Sequence, residues 1–250
     1  MQHLKTYLDS TYLKTAQDAG ISDTENQKTV TNCIDEAIHE NFKLVMIRPE
    51  FVSLAKKRIN KAKSGVLVGT VIDFPLGTKS VSDKIAEALI AIKNGADELD
   101  FVCNYSEFIQ GNTILIKNEI VQCCKVALEN HKTAKIIIEV AALNATQIIK
   151  ICSLIKNVVM ANFKEECYQH VFVKSSTGFY NTPDNSPNGA TFNSIIMMLE
   201  NASPLQIKAS GGISNQKIAL QYIQLGVKRI GTSSAKALIA NATSNTKTYY

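Results

Sequence analysis

The stretch HVFVKSSTG, residues 170–178, joins an apolar run to an abrupt polar end. Its β-branched and aromatic side chains predict a strand that ends on Lys174 and is followed at once by Ser-Ser-Thr-Gly. A buried ammonium group is costly. Lys174 therefore either extends to solvent at the open end of its strand or is kept there for chemistry. The residues that surround Lys174 in the folded chain decide between these two possibilities.

Apolar runs of this kind recur from one end of the chain to the other. Their centres lie roughly 22–40 residues apart, the spacing of strand–helix–strand units. Several are apolar on both faces, which is typical of parallel strands covered by helices. The eight predicted strands are HLKTYL near residue 5, KLVMI near 45, GVLVGTVI near 69, ELDFVC near 100, KIIIEV near 137, HVFVK near 172, LQIKAS near 207 and KRIGTS near 230.

Helix patterns with recognisable ends lie between these runs. SVSDKIAEALIAIKNG has a capping pattern at Ser80 and stops at Gly95. SNQKIALQYIQLG has a serine cap at Ser214 and stops at Gly226. NATQIIKICSLIKN predicts an apolar helix stripe made of Ile148, Ile149, Ile151, Cys152 and Ile155.

Eight strand–helix units in 250 residues indicate an α/β fold in which a parallel sheet closes into a single (β/α)8 TIM barrel with outer helices. An open doubly wound sheet is the alternative, but no GxGxxG follows the first strand. We expect one domain over residues 1–250, with residues 1–7 and 237–250 as terminal extensions. YNTPDNSPNGA, residues 180–190, predicts a surface loop after the sixth strand.

Composition limits the classes of function. The formal net charge is +5 and the lysines are dispersed, which favours an anionic small molecule over a nucleic acid. The N-terminus has no apolar run of signal-peptide length, and no stretch of about 18 apolar residues could cross a membrane. Six cysteines without a CxxC pair and four scattered histidines indicate reduced thiols in a cytoplasmic protein. We therefore expect no metal site, no cofactor and no membrane partner.

The carboxyl ends of the strands hold the active site of a TIM barrel, so their side chains are the first candidates. Two lysines and several carboxylates are expected to meet at this mouth. The residues at these ends are Asp9 and Thr11 in strand one, Asp100 in strand four, Glu139 in strand five, Lys174 in strand six and Lys208 in strand seven.

A lysine pair suits imine chemistry because each ammonium disfavours the charged form of the other. An ordinary lysine has a pKa of about 10.4, and only a neutral amine attacks a carbonyl carbon. Lowering the pKa of Lys174 to about 7.5 would leave about a quarter of the amine neutral at pH 7. A carboxylate such as Asp100 would keep Lys208 protonated and let the pair pass protons. Either lysine alone could still be a solvent-directed side chain, and Asp100 could be an ordinary cap or salt-bridge partner.

Two loops supply a second feature, an anion pocket. KASGGIS, residues 208–214, and RIGTSSA, residues 229–235, both turn from a strand towards a helix through glycine and serine. Backbone amides and hydroxyls in such turns bind anions, and barrels often hold phosphate with the loops after strands seven and eight. A lysine pair beside this pocket suggests imine chemistry on a sugar phosphate.

These motifs together resemble the deoxyribose-phosphate aldolase family. The resemblance runs in register from about residue 8 to 236. It is carried by LDSTYLK, DFPLGTKSVSDKIAEALIAIKNGADELDFVCN, FVKSSTGF, KASGGIS and RIGTSS. It implies a metal-free class I aldolase that reversibly cleaves 2-deoxy-D-ribose 5-phosphate to D-glyceraldehyde 3-phosphate and acetaldehyde.

The resemblance also implies roles for individual residues. Lys174 corresponds to the Schiff-base lysine, while Lys208 and Asp100 correspond to the groups that shuttle protons. Asp9, Thr11 and the C-terminal Tyr250 are further candidates, and a homo-oligomer, most simply a dimer, is expected. The substrate and phosphate positions are Thr177, Gly178, Gly211, Gly212, Gly231, Ser233 and Ser234.

Three departures from the family pattern accompany the resemblance. Ser10 stands where the family often has histidine, Met46 stands where it commonly has cysteine, and the loop 180–190 is longer. Without that cysteine, we expect weaker covalent inactivation by unsaturated aldehydes. Two alternatives stay open, namely another class I lyase acting on a different sugar phosphate and a non-catalytic phosphosugar-binding barrel.

Overall fold

The computed structural model describes residues 2–183 and 186–240. Eight parallel strands form a closed barrel in chain order, with β8 paired to β1, so the predicted TIM barrel is confirmed. The strands are β1 (Leu8–Tyr12), β2 (Leu44–Ile47), β3 (Leu67–Ile72), β4 (Glu98–Val102), β5 (Thr133–Ile137), β6 (Val171–Lys174), β7 (Gln206–Ser210) and β8 (Arg229–Thr232).

Helices surround this barrel and cover the outward faces of its strands. Short 3-10 turns at Pro49–Phe51, Val140–Ala142 and Glu165–His170 complete the connections. The α-helices are α1 (Gln2–Lys5), α2 (Ala16–Ala19), α3 (Asp23–Glu40), α4 (Val52–Lys61), α5 (Val81–Lys93), α6 (Tyr105–Ile109), α7 (Thr113–Glu129), α8 (Ala145–Asn162), α9 (Phe192–Ala202), α10 (Gln216–Leu225) and α11 (Ala235–Ala240).

Local sequence explains most helix ends. The hydroxyl of Ser80 accepts a hydrogen bond from the amide of Asp83 at 3.2 Å, so the predicted cap of α5 is confirmed. The predicted cap at Ser214 is wrong by one residue. The carboxamide oxygen of Asn215 accepts from two amides at the start of α10, and a longer amide side chain reaches both. On α8, Ile149 leaves the predicted apolar stripe and is 39% exposed.

The first strand is displaced from its predicted position. Residues near 5 form α1, and the strand begins only at Leu8. Leu4 and Leu8 are both buried, and two apolar residues four apart suit a helical turn leading into a strand. The described parts of the predicted terminal extensions also belong to the core, through Leu4 at one end and Leu238 and Ile239 at the other.

The barrel interior is divided into an apolar and a charged side. Leu44, Met46 and Val71 fill the side formed by β2 and β3. The side formed by β4 to β8 and β1 carries inward-pointing carboxylates, lysines and an arginine instead. Because a buried charge is costly unless it is paired, this side of the barrel must be held together by ion pairs.

No helix within residues 2–183 and 186–240 is both long and apolar enough to cross a membrane.

Candidate active site

Lys174 and Lys208 are neighbours because β6 and β7 pair in register at these two residues. Both side chains point into the barrel, with exposed fractions of 3% and 0%. Their amines converge on one oxygen, Oδ2 of Asp100 on β4, at 2.9 and 2.8 Å. The structure thus brings together the three residues that the sequence indicated for imine formation and proton transfer.

The environment of Lys174 lowers the pKa of its amine to about 8. Loss of hydration on burial is the main cause, and the ammonium groups of Lys208 and Lys135 add to it, while Asp100 opposes the change. At neutral pH roughly a tenth of such an amine is unprotonated, about two hundred times more than for an ordinary lysine. Lys174 is therefore equipped to attack a carbonyl carbon.

Asp100 stays ionised although it is fully buried. Burial alone would raise the pKa of its carboxyl, but Lys135, Lys174 and Lys208 outweigh that effect and hold the pKa well below its usual range. Its Oδ2 contacts both amines of the lysine pair. The carboxylate can thus orient both amines and connect them for proton exchange.

Asp9 extends the charged cluster on the far side of Lys208. The amine of Lys208 lies 2.6 Å from Oδ2 of Asp9. Nε of Arg229 donates to the other oxygen of Asp9 at 2.7 Å, and Nη2 of Arg229 lies 2.6 Å from the same oxygen. This predicted candidate therefore holds Lys208 and Arg229 rather than facing the open mouth.

Glu98 and Lys135 close the cluster into a ring. Nη1 of Arg229 donates to Oε1 of Glu98 at 2.9 Å, and the amine of Lys135 lies 2.6 Å from Oε2 of the same residue. Lys135 then donates to Oδ1 of Asp100 at 2.7 Å. All six members are at most 5% exposed. We call this closed, alternating set the ion-pair ring: Asp100, Lys208, Asp9, Arg229, Glu98 and Lys135.

A pocket of about 730 Å³ opens above the lysine pair at the carboxyl ends of the strands. Lys174 and Lys208 lie on its floor, and Leu13 and Phe179 form part of its wall. Thr11, a candidate from the sequence, also lines it. All seven substrate and phosphate candidates belong to its lining: Thr177, Gly178, Gly211, Gly212, Gly231, Ser233 and Ser234.

The loops after β7 and β8 present backbone groups to this pocket. Gly211 and Gly212 have φ angles of 90° and 71°, which strain residues with a side chain. A Cβ at Gly211 would lie 2.6 Å from Cα of Gly189, so the part of the predicted surface loop around Gly189 packs closely on this turn instead of lying at the surface. The amide of Ser234 is already bonded to Oγ1 of Thr232, which leaves its hydroxyl for a ligand.

Serine hydroxyls lock the two lysine strands together. Ser175, directly after Lys174, donates to the carbonyl of Ser210 and accepts from the amide of Ser210, both at 2.9 Å. Ser210 in turn donates to the carbonyl of Ser176 at 2.6 Å. These side chains fix the ends of β6 and β7, and with them the separation of the two amines.

Glu139 holds the loop after β6 from the other side. Oε2 of Glu139 accepts from the amide of Thr177 at 3.1 Å and, through a very short contact, from its hydroxyl. Oγ1 of Thr177 also accepts from the amide of Phe179 at 3.0 Å. Both donors of Thr177 are therefore engaged within the protein. This residue shapes the pocket through its loop rather than offering a free donor.

Sequence comparison identifies the family of this site. A model of the DeoC/LacD family aldolases matches residues 11–233. The chain belongs to this family. It is 36% identical over 239 residues to a deoxyribose-phosphate aldolase of Mycoplasmopsis pulmonis, covering 95% of this chain and 96% of that protein. It is 40% identical over 227 residues to the one of Metamycoplasma hominis, covering 90% and 92%.

A solved relative of the DeoC/LacD family has the same fold. The deoxyribose phosphate aldolase of Aeropyrum pernix, described as a tetramer, superposes with a TM-score of 0.75 at 26% sequence identity. The superposition covers 97% of this chain and 92% of that chain.

Two of the residues at which this member departs from the family pattern, Ser10 and Met46, are not among the described residues that line the pocket. Ser10 points out of the barrel, where its hydroxyl lies 3.7 Å from Sγ of Cys33 on α3. Met46 is fully buried on the apolar side of the barrel interior. Tyr250 lies outside the described residues.

Sequence reasoning missed Glu98, Lys135 and Arg229. Each is a charged residue in a largely apolar strand. Glu98 is two residues from Asp100, which places both side chains on the inward face. Their position near the start or middle of a strand kept them off the list of strand ends. Within the described residues, no group of three or more His, Cys, Asp or Glu side chains could hold a metal ion.

Proposed function

We propose that this protein is a class I aldolase that reversibly cleaves 2-deoxy-D-ribose 5-phosphate to D-glyceraldehyde 3-phosphate and acetaldehyde. The observation that carries the proposal is the position of the Lys174 amine, which is buried at the floor of the pocket and contacts Asp100 at 2.9 Å. Burial lowers the pKa of this amine to about 8. The names of the relatives in Mycoplasmopsis pulmonis and Metamycoplasma hominis support the choice of substrate.

The reaction begins when the neutral amine of Lys174 attacks C1 of the open-chain aldehyde. The carbinolamine then loses water, which takes the carbinol oxygen, and leaves an iminium ion. Lys208, next to Asp100 and Asp9, is the proton donor for the departing hydroxyl in this proposal. Asp100 sits beside the nitrogen that carries the positive charge and stabilises it.

The iminium then draws electrons from the C2–C3 bond. That bond breaks as the C3 hydroxyl loses its proton, so C3 leaves as the aldehyde carbon of glyceraldehyde 3-phosphate, and the electrons of the broken bond form the C1–C2 double bond of an enamine. Protonation of the enamine carbon and hydrolysis release acetaldehyde and restore Lys174. Oδ2 of Asp100, which contacts both amines, gives a route for the proton between Lys174 and Lys208.

The phosphate of the substrate would bind at the loops after β7 and β8. Gly212, Ser233 and Ser234 line this end of the pocket, and a backbone amide and two hydroxyls are the groups they would offer to a phosphate. Holding the phosphate there places C1 over the lysine pair, so binding energy at one end positions the bond that breaks at the other.

An activity assay on a set of sugar phosphates tests the proposal. We expect acetaldehyde from 2-deoxy-D-ribose 5-phosphate and none from Lys174→Ala. Cleavage of a different sugar phosphate in preference would support another class I lyase. Phosphosugar binding without turnover by a folded wild-type protein would support the non-catalytic barrel.

We further propose a cytoplasmic homo-oligomer, with a dimer as its simplest form. All six cysteines are free thiols, which suits a reducing compartment. Light scattering of the purified protein measures the assembly, and a monomer at micromolar concentration would contradict this part of the proposal.

A further inference from the structure

Lys174 is attached to the ion-pair ring without being a member of it. The ring contains three carboxylates and three cations, and each member contacts two of opposite charge. Lys174 contacts only Oδ2 of Asp100 among the described residues. The ring is therefore neutral on its own, and a proton on Lys174 adds one net charge to a buried cluster.

The charged groups that face Lys174 do not change this charge count. On β1, β4, β5, β7 and β8 they are the members of the ring, while β2 and β3 contain no ionisable side chain. Glu139, after β5, is the remaining carboxyl near Lys174. Thr177 donates two hydrogen bonds to it, and burial raises its pKa more than the nearby Lys174 lowers it. Among the described residues, Lys174 therefore forms an ion pair only with Asp100, whose charge the ring already balances.

We propose that the ion-pair ring keeps the amine of Lys174 in its neutral, reactive form, and that Glu98, Lys135 and Arg229 are positioning residues for imine formation. This inference rests on the function proposed above. None of the three lines the pocket, so they act through Asp100 and Lys208. Adding a net charge where little water is present is unfavourable, and a neutral ring therefore favours the deprotonated amine.

The inference predicts that substitutions of two neighbours in the ring shift the pH at which Lys174 loses its proton in opposite directions. Lys135→Met removes a cation, so a charged Lys174 restores neutrality and its amine holds its proton to higher pH. Glu98→Gln removes an anion, so the proton is lost at lower pH. Since one nearby charge typically moves a pKa by about 1 unit or more, we expect shifts of about 1 pH unit.

The readout is the initial rate at which acetaldehyde and cyanoborohydride modify Lys174, followed by peptide mass mapping between pH 6 and 10. The hydride reduces the iminium carbon to a stable secondary amine, so only imine-forming lysines are recorded. We expect the midpoint to rise in Lys135→Met, to fall in Glu98→Gln and to return to near the wild-type value in the double variant, which restores neutrality.

Lys56→Met is the matched control. Lys56 pairs with Asp97, directly before β4, through contacts of 2.7 and 2.8 Å, but it lies outside the ring. We expect no shift of the midpoint in this variant. Circular dichroism checks each fold, and Arg229→Gln removes a second ring cation should Lys135→Met fail to fold.

The possible failures are distinguishable. No adduct on Lys174 in the wild type at any pH would overturn the proposed function itself. An adduct whose midpoint is unchanged in both single variants, or moves in the same direction in both, would leave that function standing and overturn the role of the ring.

Discussion

At the scale of single residues, three buried lysines show how the number of carboxylate partners decides reactivity. Burial alone would lower the pKa of each. Glu119 and Asp73 raise the pKa of Lys84 above its usual value, and Asp100 and Glu98 do the same for Lys135. Lys174 has a share of one carboxylate oxygen and two lysine neighbours, so its pKa falls. The same residue type becomes a structural cation at two sites and a nucleophile at the third.

Sequence reasoning reaches this distinction only in part. Lys174, Lys208 and Asp100 could be selected because strand ends converge in a barrel. Lys84 and Lys135 belong to a helix and to the body of a strand, and nothing in the local pattern shows that they are buried. The pKa of Lys174 depends on contacts between β4, β5, β6 and β7, which only the closed barrel brings together.

Met46 carries a prediction at this scale. None of the described residues that line the pocket is a cysteine, and burial raises the pKa of the Cys33 thiol to about 11. We expect slow inactivation by an unsaturated aldehyde such as crotonaldehyde, and faster inactivation of Met46→Cys. The measurement is the residual activity over time. Rapid loss of wild-type activity, with a thiol adduct in the mass map, would contradict it.

At the scale of elements, side-chain hydrogen bonds fix the first residues of the loop after β6. Glu139 and Thr177 join the loops after β5 and β6, and Ser175 and Ser210 join β6 to the end of β7. Sequence spacing predicted the strands, but these side-chain links depend on register. A shift of one residue would turn Lys174 out of the barrel.

Thr177→Val tests the link to Glu139. Loss of the hydroxyl leaves the amide of Phe179 and the carboxylate of Glu139 each short of one hydrogen bond. Since a hydrogen bond to a charged group contributes about 1.5–3 kcal/mol, we expect the loop to loosen and KM to rise about tenfold or more. The imine-trapping rate with saturating acetaldehyde should stay near the wild-type value.

Thr177→Ser is the control because it keeps the hydroxyl and removes only a methyl group. Its KM should stay within about a factor of three of the wild type. Equal increases of KM in the serine and valine variants would show that the hydroxyl contact does not position the loop.

At the scale of the whole molecule, the closed barrel follows from spacing that the sequence shows directly. Eight apolar runs separated by helix patterns leave few alternatives to closure, and only the first run was placed wrongly. The charged side of the interior could be predicted only in part. Asp9, Asp100, Lys174 and Lys208 follow from their places towards the strand ends, but Glu98, Lys135 and Arg229 lie at the start or in the middle of their strands, where an inward face is normally apolar.

Buried thiols predict the alkaline limit of stability. Burial raises the pKa of Cys124 and Cys152 to about 12, and it also raises the pKa of the thiols of Cys33, Cys103 and Cys123. Above pH 9 the unfolded chain releases thiol protons that the folded protein keeps. A raised folded pKa therefore contributes stability that is present below pH 9 and lost as the pH rises.

Each fully ionised thiol of the unfolded chain removes about 1.4 kcal/mol per pH unit. We expect the urea midpoint to fall steeply between pH 9 and 11, and Cys124→Ala to reduce that slope by about one proton. The lowered pKa of Lys174 has the opposite effect, because between about pH 8 and 10.5 it makes the stability rise with pH. Its contribution to the slope is at most one proton. A midpoint independent of pH in this range would contradict the burial of these thiols.

The most direct test of the central claim is borohydride trapping with acetaldehyde at neutral pH, followed by peptide mass mapping. The account predicts an ethyl adduct on Lys174 in the wild-type protein and its absence from Lys174→Ala. Lys135 and Lys208 should remain unmodified at neutral pH, since their amines are paired in the ion-pair ring. A folded wild-type protein without an adduct on Lys174, or with the adduct on another buried lysine, would contradict the assignment of Lys174 as the imine-forming residue.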